Sequence, residues 1–220
     1  MKTVSTIYHN RKQLESFIES KKIQSDKNVL IQIYTAEGKV RVSRLWELLS
    51  QSLPEAAIIG ATVDATYCSA IKTSGTAVSF TVFDKVQVKS IGVSFKESVS
   101  GYEYGVEIGA QIIKPDTKAV ILFGSSHTLT NRAVLKALEE RFPHTVMAGG
   151  NAVPVGEKNV EFLVTNDGLI DSGVTAVSLS GDELIASVHA YSEWNTVGRS
   201  FTDFPNGKAH AGHSPPLGMG

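Results

Sequence analysis

"KNVLIQIYT", residues 27–35, is an apolar run rich in Ile and Val, and residues 118–126, "KAVILFGSS", echo it. An unbroken run of this kind is the signature of a strand covered on both faces, because a strand with one wet face alternates apolar and polar residues. The segments around the two runs follow in the same order. Ahead of the first, residues 3–8 read as a short strand, and Asn10 caps a helix over 11–22 that carries Leu14, Phe17 and Ile18 on one face. After it, Leu45, Leu48, Leu49 and Leu53 recur at helical spacing until Pro54 stops the helix, and "AAIIGAT" (56–62) is a second buried strand. After the second run, a helix over 129–142 with Leu135 and Leu138 inward ends at Pro143, and "TVMAGG" (145–150) is the next strand.

Elsewhere the texture is alternation. Residues 67–73, 76–84 and 86–95 have period two and are separated by Ser74-Gly75 and Asp84-Lys85, so they read as antiparallel strands with one wet face. Residues 160–192 alternate again, with turns at Asn166-Asp167-Gly168 and Gly181-Asp182. Between the two sets, residues 100–113 read as a helix with Tyr104, Ile108 and Ile112 inward, stopped before Pro115. Val29 and Val120, Pro54 and Pro143, and Gly60 and Gly149 are each about 90 residues apart. The expected fold is therefore α/β with α+β character. It consists of two similar strand–helix–strand units, residues 28–97 and 118–193, each followed by an antiparallel meander and related by an internal duplication. The equivalent loops "GATVDAT" and "GGNAVPVG" should then lie close together, with a ligand groove between them.

Composition narrows the function classes. Lys plus Arg (21) balance Asp plus Glu (22), and no basic run interleaves with aromatics, so nucleic acid is not an expected partner. The single cysteine, Cys68, has no internal disulfide partner, Glu15 interrupts any signal-peptide core, and no apolar stretch approaches ~18 residues. A cytoplasmic chain that is not membrane-embedded is expected.

In order along the chain, "LPEAAIIGATVDA", "AVILFGSS", "VMAGGNAV", "VTNDGLIDSGVTAVSLSG" and "SEWNTVGRSF" resemble the N-terminal half of the FIST domain over about residues 27–201. The resemblance implies a cytoplasmic sensory domain for a small ligand, an amino acid or related metabolite. It also implies as partners a C-terminal FIST half and an output domain of cyclase, kinase or chemotaxis type, both beyond this chain. No cofactor or metal is implied. Residues 61–65 read Ala-Thr-Val-Asp-Ala where family members commonly carry a Gly-Glu pair, and "FGSSHT" replaces the more usual Asp-Gly loop. A sensory domain over 1–205 followed by a disordered or appended tail, 206–220, is the expected organisation.

The candidate ligand-binding residues are Gly60, Ala61 and Thr62 in the first loop, Ser125 and Ser126 after the second apolar run, Gly149, Gly150 and Asn151 in the second loop, and Trp194. Glycine lets backbone amides approach a ligand closely, Asn151 adds a side-chain amide, and the Trp194 indole offers a flat surface and one donor. Trp46 lies within a helix and reads as core or interface. Gly124-Ser125-Ser126-His127 also has the strand–turn–helix setting of a nucleophile elbow, in which Asp167 or Asp171 and then His189 would complete the order of a serine hydrolase. The alternative use of Ser126 or Thr128 is to cap the following helix. Cys68 reads as an ordinary strand residue, and His210 and His213 are too few for a metal site. Gly101, Gly105 and Gly109, at every fourth position, permit close packing of their helix on a neighbour.

Overall fold

The computed structural model describes residues 1–24, 28–68, 71–73, 75–126, 128–156, 159–188, 201–202 and 210–211. The chain divides into two compact units, Met1–Val188 and His189–Gly220. In the first, two mixed sheets are flanked by four helices. The first half of that unit runs β1 (Lys2–Tyr8), α1 (Arg11–Lys21), β2 (Asn28–Thr35), α2 (Lys39–Ser52), β3 (Ala57–Thr62), a small hairpin β4 (Thr66–Cys68) and β5 (Ile71–Thr73), and β6 (Thr76–Phe83). The second half runs β7 (Gln87–Ser94), α3 (Gly101–Ile112), β8 (Thr117–Gly124), α4 (Thr128–Arg141), β9 (Val146–Asn151), the hairpin β10 (Leu163–Thr165) and β11 (Gly168–Ile170), and β12 (Gly173–Ser180).

Strand order in the first sheet is β1-β6-β2-β3-β10-β11 and in the second β7-β12-β8-β9. In each, a parallel pair (β2 with β3, β8 with β9) sits beside an antiparallel return strand (β6, β12) and a strand that opens the half (β1, β7). The order of connections is thus the same in the two halves. Its frame begins at β1 and β7, rather than at residues 28 and 118; likeness of connections is all that the strand order establishes.

Two expectations about the meanders need correction. Strand β7 does not extend the first half's meander but opens the second sheet, pairing with β12 from Gly173↔Ser94 to Ser180↔Gln87. Residues 163–170 leave the second half and join the first sheet, with Val164 opposite Gly60 and Leu163 opposite Ala61. Residues 184–188 form no strand, and residues 189–200 lie outside the described residues. The physical reason is layering. Leu30, Ile59, Phe83 and Leu163 from one sheet pack against Phe123 and Val177 from the other, so the sheets meet face to face. Leu14 of α1 and Leu45 and Leu49 of α2 cover the first sheet's outer face over Ile31, Ile33, Ile58 and Phe80. Tyr104, Ile108, Val134 and Leu138 of α3 and α4 cover the second over Val120, Leu122, Val174 and Ala176. An α/β/β/α stack leaves the central strands no wet face. It accounts for the apolar runs of β2 and β8, and it buries most of β6, where alternation predicted a solvated side.

Local chemistry supports these elements. The Asn10 side chain accepts from the Gln13 N–H, as its cap role requires. Helix α3 opens with a capping box in which Ser100 Oγ accepts from Glu103 N–H and the Glu103 carboxylate accepts from Ser100 N–H and Oγ–H. Glycines 101, 105 and 109 bring α3 against α4; a Cβ at Gly105 would lie 2.5 Å from the Val134 carbonyl oxygen and 2.7 Å from Ala137 Cβ. In the second unit, β13 (Phe201–Thr202) pairs antiparallel with β14 (His210–Ala211). The unit boundary falls at residue 188, ahead of the tail expected from 206.

Two measurements check this packing. Gly105→Leu forces the helices apart and should lower unfolding free energy by about 1–3 kcal/mol in urea denaturation, as overpacked sites do. The hydrogen bonds that Ser100 donates, from its backbone N–H first and its hydroxyl second, hold the Glu103 carboxyl below the ordinary range. The unfolded state therefore takes up the proton first, and the cap's contribution is full above the usual Glu value of about 4.3 and lost as pH falls through the lower folded value. Glu103→Gln should flatten that part of the acid limb of stability against pH.

Candidate functional site

The expected loops do meet, but they seal a seam. Val153 N–H donates to Thr62 O at 3.0 Å, and Ala152 N–H donates to Gly124 O at 2.7 Å. Gly60, Ala61 and Thr62 are buried in β3, whose outer edge is occupied by β10: Thr62 N–H donates to Phe162 O, and Phe162 N–H donates to Thr62 Oγ1. Trp46 packs against the same core and donates its indole N–H to Thr165 O at 2.9 Å, which fastens α2 to the β10–β11 hairpin. Asn166, at the hairpin turn, accepts from Ile58 N–H and donates to Ala56 O. From Ile58 to Thr62, β3 is thus covered along this edge by residues 162–166.

The second set of candidates sits differently. Gly149, Gly150 and Asn151 end β9, which closes the strand order of its sheet, and all three are exposed. Beside them lies a groove of about 380 Å³ walled by Leu122, Val134, Leu135, Met147 and Val174, with Asn131, Asn151 and Glu139 as its polar groups. Leu135, expected inward, is half-buried on this wall, because the glycines of α3 draw α4 to its other flank and leave space between α4 and β9. Gly149 is required here by sterics: a Cβ would collide with the Leu122 carbonyl oxygen of β8.

Asn131 organises the inner end of the groove. It is 8% exposed, and its Nδ2 donates to Ser125 O at 2.5 Å and to Asn151 Oδ1 at 3.0 Å. Its Oδ1 is buried and accepts no hydrogen bond among the described residues. A buried acceptor left so is costly to stability. Ser125 is fully buried; its Oγ accepts from Gly173 N–H at 3.0 Å, and its role is to pin the start of α4 to β12. Ser126 is exposed, and its N–H and Oγ–H both donate to Glu161 Oε1, at 3.0 and 2.9 Å. Glu161 thereby holds the turn. Asp171 instead pairs with Lys39, Asp167 lies exposed in the β10–β11 turn, and His127, His189 and Trp194 lie outside the described residues.

The structure thus brings Gly149, Gly150 and Asn151 to one groove, buries Ser125 outside its lining, holds Ser126 on Glu161, and leaves Gly60, Ala61 and Thr62 behind β10. Asn131, Glu139 and Glu161 escaped sequence reading. Only the helical register of Asn131 relative to Val134 and Leu138, placing a polar residue on an otherwise apolar face, could have marked it. Among the described residues no group of three or more His, Cys, Asp or Glu is placed to hold a metal ion. No helix among them is long and apolar enough to cross a membrane.

A stacked domain with an open groove and amide-bearing side chains at its end has the makings of a binding domain. The sequence model of the FIST N domain family matches residues 29–202, most of the chain, and the chain belongs to that family, whose members are sensory domains of signal transduction. No curated protein matches the sequence.

Asn131→Asp keeps the side chain's shape but turns the donor facing Ser125 O and Asn151 Oδ1 into an acceptor. It should cost about 1–3 kcal/mol of stability, read by chemical denaturation, while Glu139→Gln at the groove's rim should leave stability unchanged.

Proposed function

We propose that this domain senses a small cytoplasmic metabolite bound in the groove between α4 and β9, and passes a change of state to a signalling output module of cyclase, kinase or chemotaxis type through a C-terminal FIST half. The observation that carries the reading is an open apolar groove of about 380 Å³ bordered by the exposed glycine-bearing end of β9, with the amides of Asn131 and Asn151 among its lining. A ligand with an apolar body and an N–H or O–H donor, such as an amino acid or a related compound, matches that surface. Backbone amides of β9 and the Asn151 side chain supply the remaining polar contacts. No catalytic step is assigned to it. Gly60, Ala61 and Thr62 support the site from behind, through the Thr62–Val153 bond, rather than by touching the ligand.

A serine hydrolase is the second reading, favoured only by the 2.9 Å hydrogen bond from Ser126 Oγ to Glu161. A carboxylate that also accepts the Ser126 backbone N–H is better explained as holding the turn before α4.

A thermal-shift screen of amino acids, organic acids and nucleotides tests both readings. A ligand at about 100 times its dissociation constant adds about 2.7 kcal/mol, which for a chain of this length raises the melting temperature by roughly 5–10 °C. The shift should vanish in Leu135→Arg and weaken in Asn151→Ala, and silence across the screen would remove the small-ligand reading. Ester hydrolysis that disappears in Ser126→Ala would establish the second reading instead.

A further inference from the structure

The two sheets are built by the same connections as far as β3 and β9, and then differ at one place. In the first, β10 lies antiparallel along β3, and its Val164 and the preceding Phe162 are fully buried on the α2 side. In the second, no strand among the described residues pairs with the outer edge of β9, and the corresponding space beside α4 is the groove. The registers are equivalent. Gly60 stands opposite Ile33 as Gly149 stands opposite Leu122, and Thr62 opposite Thr35 as Asn151 opposite Gly124. At both glycines a Cβ would collide with the carbonyl oxygen of the neighbouring strand. The edge of β9 also lacks the usual protection: Met147, Ala148, Gly149, Gly150 and Asn151 include no charge, no proline and no bulge.

We propose that the outer edge of β9 is a docking site for an extended segment of a partner polypeptide, which adds as an antiparallel strand and places two apolar side chains, two residues apart, in the groove beside α4. The strand β10 on β3 is the template. A Val-like residue stands opposite Gly149 on the Leu135 side of the groove, as Val164 does opposite Gly60, and a Phe-like residue two positions earlier stands opposite Asn151 at the Asn131 end, as Phe162 stands at Thr62. The backbone N–H of that Phe-like residue meets the side chain of Asn151, as the Phe162 N–H meets Thr62 Oγ1. Asn151, exposed at the strand end and already accepting from Asn131 Nδ2, presents its side-chain oxygen there. Main-chain hydrogen bonds along the edge supply affinity, and the groove selects the alternate side chains. A second copy of β9 does not satisfy the site. Its residues on the groove side would be Met147, Gly149 and Asn151, two of which are too small to fill about 380 Å³.

The strand's side chains and the small ligand of the proposed function occupy the same groove, so they exclude one another. Docking itself does not depend on that ligand, and only the exclusion rests on that reading. Ligand that binds the groove would release the partner strand, which connects sensing to association.

The probe is a fluorescein-labelled peptide of this chain's own filler sequence, residues 160–166 (VEFLVTN), titrated with the full chain and read by anisotropy, with amide hydrogen exchange to locate it. Saturable binding is expected, with slowed exchange at residues 147–151, weakened at least about tenfold when the peptide's Phe and Val are both replaced by Asp and also in the Leu135→Arg chain. The doubly substituted peptide makes the result independent of how Leu135→Arg folds. No saturable binding, binding indifferent to those substitutions, or protection at β7 or β11 in place of β9 overturns the proposal. So does protection of 147–151 that rises with chain concentration in the absence of peptide, which identifies a second copy as the occupant. Peptide binding that no thermal-shift hit displaces upholds the docking site and sets aside the exclusion.

Discussion

Every strand at the centre of this domain depends on contact between the two sheets. Tyr34 and Phe123 meet edge to face, 5.7 Å between centroids and 78° between planes, amid Leu30, Ile59, Leu163 and Val177. Burial there pushes the Tyr34 hydroxyl's pKa up. Without this layer the inner faces of β2, β3, β8 and β12 would be exposed apolar surface of a kind that soluble domains do not carry. With it, each sheet needs only one more cover, and two helices apiece provide it. The apolar runs, the helix pairs and the short return strands all follow from that one requirement.

The sheets solve the remaining problem, their edges, in different ways. The hairpin β10–β11 crosses from the second half to the first sheet and is fixed there by Trp46 and Asn166. It makes the two halves one body, because the chain between β9 and β12 belongs to the other sheet. The same crossover leaves β9 at the end of its sheet. Close packing of α3 on α4 through three glycines then decides where space remains, on the flank of α4 away from α3. The groove is thus a consequence of the asymmetry and not a loop ornament added to a finished fold.

Much of this order was legible in the sequence because apolar period and helix stops are local. Asn10, Pro54, Pro143 and the Asn166-Asp167-Gly168 turn mark real boundaries, and the spacing of Gly60 and Gly149 marks equivalent places in two sheets. Sheet membership was not legible. Residues 87–94 and 163–170 alternate as any strand may, and nothing within either segment says which sheet it joins; burial of Phe162 and Val164 against α2 settles it across more than a hundred residues of chain. The candidate site divides along the same line. Gly149, Gly150 and Asn151 were found as a glycine-bearing strand end, but the identical signal at Gly60 marks a covered edge, since local sequence does not record what lies beside it. Asn131 was missed because a single amide in an apolar helix face is distinguished only by the partners that burial assigns to it.

A sensor also needs a route out of its site, and the bonding around Asn151 limits the possibilities. Asn151 is followed by Ala152, bonded to Gly124 of β8, and Val153, bonded to Thr62 of β3. The groove end of one sheet is therefore tied, two residues on, to the covered edge of the other. On the α4 side, Asn131 links Asn151 to the Ser125 carbonyl, and Ser125 in turn accepts from Gly173 at the head of β12. On the proposed function, these bonds are the ones nearest a group bound in the groove. Coupling of about 1–3 kcal/mol, the usual scale between linked sites, is comparable to one or two of them. On that reading the response to a bound group starts at the seam where the two sheets join, because the bonds from Asn151, Ala152 and Val153 reach both sheets and the head of α4.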